Sequence, residues 1–376
     1  MEKTESIFSS HFLFLLAVVF IIRLSVALFI PTEPVSDCSW YHETAAAISN
    51  GEGFAHNGAA TAYRPPGYSF MLGFIYSLFG SNPLLGRLLN AVLGTLSILL
   101  LGLIIRKFTK EWIEVLWIAA LYPEHILFTN ILSSEMLFLC TFLLWFFSVQ
   151  KEKAAVSGIA AAAMIYVRSV ALFMPLLPIL WDRKNWCKHL TTFAIAIILL
   201  APWMVRNYQK IGSPSIATNF WVNLWLGNGS QASGAYFDTE DPPVDSEIER
   251  EKWFRKKFFE DISENPAKPI SILPVKFAFF SLPAITASYW GLAGIASTKI
   301  IRIAAIVLSA INVFVFLFFI LALIRRKIPP AMLWTIIYFT AIALVFFGAD
   351  RFRFPISFFI IFVSVDFASR IKSKSK

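Results

Sequence analysis

The sequence predicts an all-α polytopic integral membrane protein, and three observations carry that expectation. Hydrophobic residues make up 57% of the 376 positions and charged residues only 15%. Mean hydropathy is +0.66, and a water-soluble domain has no interior large enough to hide so much apolar side chain. Apolar runs of helical length follow one another along the chain, and every second connector between them is short and basic.

Ten such runs lie near 11–30, 84–105, 112–129, 133–150, 154–168, 170–181, 190–205, 299–324, 331–348 and 354–369. Two of them, 154–168 and 170–181, are short for the ~20 residues that a spanning helix needs. Arg106, Lys107 and Lys110 follow the second run, Lys151 and Lys153 the fourth, and Arg183, Lys184 and Lys188 the sixth. Arg325, Arg326 and Lys327 follow the eighth, and Arg370, Lys372, Lys374 and Lys376 form the tail. Basic connectors stay on the cytoplasmic side, which predicts both termini inside and the inner membrane as the location. The net charge of +9 is then anchoring charge rather than a nucleic-acid surface.

The first run is too long for a cleavable signal and lacks a small-x-small site, so a retained helix is expected there. The stretch 270–292 holds Lys276, Pro274 and Pro283, and an eleventh span would put the basic tail outside. An interfacial or re-entrant segment is expected instead. Two connectors on the outer side are long, roughly 31–83 and 206–298. The chain thus divides into a transmembrane module (1–205, including the first loop), a long outer loop with interfacial helices (206–298), and C-terminal helices with a basic tail (299–376). In the second loop an acidic stretch precedes a basic, aromatic one, which predicts an amphipathic surface helix. Cys38, Cys140 and Cys187 fall in separate segments, so no disulfide framework is expected.

The informative polar residues cluster at the outer helix ends. "SDCSWYHETAAAISNGEGF" opens with Asp37, and Asp37, Tyr41 and Ile48 share one helical face. Asp37 there is a helix cap, with Ser36 as competitor, or a functional carboxylate. Gly51 and Gly53 end that helix. "YRPPGY" follows, and its Pro-Pro pair fixes an extended backbone at Arg64. "LYPEHILFTNILSSEMLF" places Glu124, His125 and Glu135 near the next outer turn. Ser133 or Ser134 can cap the fourth helix, with Glu135 in its first turn. Arg168, Arg206 with Asn207, and Asp350 with Arg351 and Arg353 occupy further outer ends. Arginines on the side that positive charge avoids, with carboxylates among them, predict an anion site. A planar guanidinium matches phosphate oxygens two at a time.

Taken in order, D-C-S-W-Y, G-E-G-F, Y-R-P-P-G-Y, L-Y-P with S-S-E-M-L-F, Y-V-R-S, P-W-M-V-R-N with N-L-W-L-G-N, and R-F-R-F-P resemble the bacterial GT-C glycosyltransferases related to protein O-mannosyltransferases and lipid A aminoarabinose transferases. The resemblance covers most of 11–230 and then 345–368, and little of 231–298. It implies a GT-C-type fold and a sugar donor on a polyprenyl phosphate. The acceptor is then an extracytoplasmic glycan, lipid or protein. Asp37 is expected to be the general base or acceptor-orienting carboxylate, and Glu135 a second site carboxylate. Arg64, Arg351, Arg353, Arg168 and Arg206 are expected at the donor phosphate. Tyr41, Tyr63, His125, Asn207 and Asn223 are expected to line the acceptor and sugar.

The residues suit that chemistry. A hydroxyl acceptor needs a base, and a phosphate leaving group needs arginine more than an acid. A single inverting displacement therefore suffices, whereas a retaining route wants two close carboxylates. The chain is expected to lack the soluble C-terminal domain of the family's larger members, which leaves the acceptor open. It also lacks a D-x-D and a W-W-D-Y-G-type motif, and His42, His56 and His125 match no metal spacing. No cofactor or divalent metal is expected. Asn228-Gly-Ser is a formal glycosylation sequon and carries no weight in a bacterial protein. A transporter or flippase for lipid-linked saccharides, or a polysaccharide polymerase, is the alternative. A transporter should show polar, broken helices at mid-membrane in matching halves, whereas the polar groups here gather at one surface.

Overall fold

The computed structural model describes residues 9–240, 242–244, 246–325 and 328–374. Of the basic clusters that set the expected orientation, Arg326, Lys327 and Lys376 lie outside these residues. Eighteen α-helices follow in order: α1 (Ser10–Phe29), α2 (Asp37–Ser49), α3 (Gly67–Phe79), α4 (Pro83–Ile105), α5 (Trp112–Ala120), α6 (Pro123–Leu127), α7 (Ser134–Gln150), α8 (Ala154–Val167) and α9 (Trp186–Ile211); then α10 (Phe220–Asn228), α11 (Glu247–Glu264), α12 (Lys268–Ser271), α13 (Leu273–Ser281), α14 (Ile285–Gly291), α15 (Thr298–Arg325), α16 (Pro330–Val345), α17 (Asp350–Arg353) and α18 (Ser357–Lys374). A hairpin of two-residue strands, β1 (Ala55–His56) and β2 (Ala59–Ala60), is the one sheet among the described residues.

Five helices are long and apolar enough to cross a bilayer, and a bent pair brings the number to six. Local chemistry sets their ends. Asn82 caps α4 by accepting from the Leu84 amide at 2.9 Å, with Pro83 at the first helical position. Gly212, left-handed at φ 82°, closes α9. The pair α7 and α8 and the pair α8 and α9 pack along their lengths, and α4 joins α1 to α7.

Several expected runs take a different form. The run at 112–129 is broken, because Pro123 pushes Tyr122 to an extended ψ of 115°. Beyond the break, 123–130 turns back on α7 at 119°. The run at 170–181 forms two 3-10 pieces, Ser169–Ala171 and Met174–Leu180, where Pro175 and Pro178 remove α-helical donors. The stretch 270–292 holds three short helices, the longest of nine residues, too short to span.

Freed backbone groups inside a membrane protein must find partners within it. Arg23 on α1, 1% exposed, donates to the His125 carbonyl at 2.7 Å and to the Thr129 hydroxyl at 2.9 Å. Asn90 donates to the Ile131 carbonyl at 2.7 Å, and Thr32 to the Asn130 carbonyl at 2.8 Å. Three separate elements thus brace the broken turn from which α7 starts.

The two long connectors pack on each other. Arg206 donates to the carbonyls of Thr61 (2.6 Å) and Phe54 (2.8 Å). Glu247 on α11 accepts from the Thr61 hydroxyl at 2.6 Å and the Ala62 amide at 3.0 Å. The aromatic face of α11 does not lie free as a surface helix would. Phe254 packs on Trp225 of α10, with Trp221 and Phe258 beside them.

Replacing Arg23 by Leu should unpair the His125 carbonyl and the Thr129 hydroxyl in the interior. A loss of about 2 kcal/mol is expected, read as a lower thermal midpoint in detergent. An unchanged midpoint would show that the broken turn does not need this brace.

Candidate active site

Where the two connectors meet residues 346–352 they enclose a cavity of about 810 Å³. Asp37 stands on its wall at the start of α2. The chain enters that helix through Ser36 at φ 52° and ψ −123°, a sparsely populated positive-φ conformation that costs a non-glycine residue about 1–3 kcal/mol. Neither Ser36 nor Asp37 caps the helix through its side chain.

The Asp37 carboxylate is taken by two arginines. Arg64 grips it as a fork, Nη2 to Oδ1 at 2.6 Å and Nη1 to Oδ2 at 3.1 Å. Arg351 Nη1 donates to Oδ2 at 2.6 Å. The far side of Arg351 continues the pattern, with Nε 3.0 Å from Glu135 Oε1. Arg168 Nη1 donates to the same oxygen at 2.8 Å. The result is one alternating chain of five charges: Arg64, Asp37, Arg351, Glu135, Arg168. Burial alone would raise the Asp37 carboxyl, but the guanidiniums of Arg64 and then Arg351 outweigh it and hold it down at about 2.

Aromatic rings fix the cations. The Arg64 guanidinium lies 5.4 Å from the Trp40 ring, 5.7 Å from Tyr41 and 5.3 Å from Tyr63. Arg351 lies 5.1 Å from Trp290, and Arg168 5.7 Å from Phe352. Each contact adds attraction where water is scarce. Glu135 is completely enclosed and touches the cavity only through its arginines, so its place in the first turn of α7 is not an ordinary cap.

Of the residues expected from sequence, Asp37, Tyr41, Tyr63, Arg64, Arg168, Asn223 and Arg351 line the cavity, and Glu135 lies behind it. Four do not join them. Arg353 points away and pairs with Glu124, its Nη2 at 3.0 and 2.9 Å from the two oxygens, with Phe280 and Pro283 carbonyls beside it. Its place follows from spacing, because residues two apart on a helix such as α17 face opposite ways. Arg206 is spent on the first connector, and Asn207 on the Ser215 carbonyl at 2.7 Å. His125 is stacked between Phe354 and Phe358, both at 4.2 Å, and meets the Ser357 hydroxyl.

Sequence reasoning missed Tyr236, Asp238, Arg250 and Trp290 on the cavity wall. A signal for Arg250 existed: Glu247, Arg250, Glu251 and Phe254 repeat at helical spacing, so the face of α11 that carries Arg250 also carries the buried Phe254 and turns inward. Asp350 also lines the cavity, with its oxygens accepting from the Thr286 amide (2.7 Å) and hydroxyl and from the Arg351 amide (2.9 Å). Among the described residues no group of three or more His, Cys, Asp or Glu is placed to hold a metal ion.

No family model and no curated protein matches this sequence. Among solved structures, the chain is similar to the archaeal oligosaccharyltransferase AglB from Archaeoglobus fulgidus, in complex with an inhibitory peptide and a dolichol-phosphate. The TM-score is 0.53 at 16% identity, over 96% of this chain and 50% of that one. The chain therefore spans half the length of AglB. ArnT from Cupriavidus metallidurans, bound to undecaprenyl phosphate, is matched with a TM-score of 0.49 at 13% identity, over 96% of this chain and 79% of that one. The likeness to AglB establishes the fold, an all-α membrane fold of GT-C type.

Glu135→Gln should leave Arg168 and Arg351 short of a buried counter-charge and destabilise the protein by about 3–5 kcal/mol. Adding Arg168→Gln should recover part of that loss. The measurement is thermal unfolding of both variants in lipid nanodiscs. With Arg168→Gln measured alone as well, a double-variant loss equal to the sum of the two single losses would mean that the two side chains are not energetically coupled.

Proposed function

We propose that the protein is a membrane glycosyltransferase that moves a sugar from a polyprenyl-phosphate-linked donor to an extracytoplasmic hydroxyl acceptor by one inverting displacement. The observation that supports this best is Asp37, set on the wall of the cavity and gripped by two arginines of an alternating charge chain. The likeness of fold to AglB, a transferase solved with a dolichol-phosphate, agrees with it.

In the resting site Arg64 and Arg351 are bound to Asp37, which makes it a weak base. An entering phosphodiester competes for the same guanidiniums, since both anions accept bidentate N–H bonds. As the arginines turn to the phosphate, Asp37 regains basicity beside the acceptor. The acceptor oxygen then attacks the anomeric carbon from the face opposite the phosphate. Its proton passes to Asp37, and the bond from carbon to phosphate oxygen breaks with its electron pair leaving on the phosphate. Arg64, Arg351 and Arg168 carry the growing negative charge, a task for which no divalent metal is invoked. Tyr41, Tyr63 and Asn223 line the sugar, and Glu135 keeps Arg351 and Arg168 aimed. The basic connectors, read as cytoplasmic, support an extracytoplasmic side of the inner membrane for this chemistry.

Asp37→Asn should lower kcat by about 10²–10⁴-fold, and Arg351→Ala by about 10²–10³-fold. The assay supplies labelled polyprenyl-phosphate sugar to membranes with a hydroxyl acceptor. Full transfer by Asp37→Asn would remove the base assignment. Movement of intact lipid-linked sugar across vesicles, without cleavage, would make the protein a flippase instead.

Wild type and Arg351→Ala together set a pH test. A base held low is ionised, and so competent, above its own pKa and is lost only as pH falls through it. The acid limb of kcat/KM, which reports the free enzyme, should therefore lie near 2 for Asp37 in the wild type. In Arg351→Ala it should move up toward the ordinary carboxylate value of about 4. Identical limbs in the two proteins would show that Arg351 does not control Asp37.

A further inference from the structure

Residues 344–348, which lead from the end of α16 to Arg351, are threaded between α10 and α13. Lys276 on α13 is completely enclosed, and among the described residues it has no ion pair with a carboxylate. Its ammonium donates to the Leu344 carbonyl and to Asn228 Oδ1, both at 2.8 Å. Asn228, at the end of α10, passes the contact on by donating to the Val345 carbonyl at 2.8 Å. Three residues further, the Gly348 amide donates to the Gly234 carbonyl at 2.8 Å. Backbones touch on both sides. A Cβ on Gly227 would lie 1.7 Å from the Phe346 carbonyl oxygen, and one on Gly348 would lie 2.1 Å from the Lys276 carbonyl oxygen. No side chain fits at either place.

An enclosed ammonium without a counter-ion is a costly way to tie two carbonyls together. Burial draws Lys276 down to about 8, and a neutral side chain would carry no such penalty. What the lysine gains is three donors on one atom at the point where the chain leaves α16, seven residues before Arg351. The segment that follows bears Gly348, Asp350 and Arg351, all on the cavity wall.

We propose that Lys276 is a positioning residue for Arg351: through Asn228 and the carbonyls of 344–345 it sets the register of the segment that aims Arg351 at Asp37 and Glu135. Residues 231–298, which carry little of the family resemblance, thereby help to build the charge chain. The functional consequence, tighter hold on a lipid phosphate, rests on the reading of Arg351 given above. The structural consequence does not.

The test uses the full-length protein in nanodiscs as wild type, Lys276→Met, Lys276→Arg, Arg351→Ala and the Lys276→Met/Arg351→Ala double variant, with Gly348→Ala as an independent way to disturb the same segment should Lys276→Met fail to fold. The first readout is carbodiimide labelling of Asp37 at mildly acidic pH, followed by peptide mass spectrometry. An Asp37 gripped by Arg351 stays ionised and unlabelled, and one that has lost Arg351 becomes reactive. Lys276→Met or Gly348→Ala should label as Arg351→Ala does, Lys276→Arg should restore protection in part, and the double variant should label no more than Arg351→Ala. The second readout is affinity for polyprenyl phosphate, expected to fall about 10-fold in Lys276→Met and not further when Arg351 is already absent. A protected Asp37 in folded Lys276→Met and Gly348→Ala, or independent effects of Lys276 and Arg351, would overturn the proposal. Wild type that binds no polyprenyl phosphate would instead count against the functional reading, and the labelling would still decide the role of Lys276.

Discussion

The rest of the site depends on one constraint: Arg351 must reach two carboxylates at once. Asp37 and Glu135 come from helices far apart in sequence, and neither is left with enough water to stay ionised alone. Arg351 lies between them, 2.6 Å from one and 3.0 Å from the other. Arg64 and Arg168 close the two ends. Each anion thus has two cations, and the middle cation has two anions. Such a chain holds charge in a low-dielectric wall that no isolated member would tolerate. It also ends in cations on both sides, which leaves the wall receptive to a further anion.

Positioning this chain explains otherwise odd features elsewhere. The third apolar run is broken at Pro123 so that α7 can begin at the site with Glu135 in its first turn. That break is affordable only because Arg23, Asn90 and Thr32 take up its carbonyls. The 3-10 segment after Arg168 keeps the chain close to the cavity instead of starting another long helix. The second connector supplies Glu247 to hold the first connector in place, and α10 and α13 to hold the approach to Arg351.

Much of this was legible in the sequence, and the reasons for the remainder are physical. Asp37, Arg64, Arg168 and Arg351 were visible because charged residues at the ends of apolar runs have few structural excuses. Arg353 carried the same signal, but two residues along a helical turn reverse the direction of a side chain, and it neutralises Glu124 instead. His125 and Arg206 are polar residues that the fold itself consumes, one in an aromatic stack and one in carbonyl bonds. Patterns of residue type do not separate such uses from catalytic ones. Lys276 was read only as an argument against a spanning helix, since its partners are carbonyls and a side-chain amide, which leave no mark in composition. The apolar runs were legible, but the number of spanning helices was not: ten runs were read, and among the described residues five helices, or six with the bent pair, are long and apolar enough to cross a bilayer, in part because prolines at 123, 175 and 178 act locally and hydropathy averages over them.

The separation of the charge partners also fixes an order of assembly. Asp37 and Arg64 are 27 residues apart and Glu135 and Arg168 are 33 apart, so each pair is complete soon after its second member is made. Arg351 is 314 residues from Asp37 and is made long after both pairs. Until then the growing chain holds two separate, neutral ion pairs, which are far cheaper to keep in or near a bilayer than four lone charges. The last helices fuse them and add one positive charge. The site therefore gains its net positive charge only once residue 351 has been added, and a chain cut before it holds two closed ion pairs.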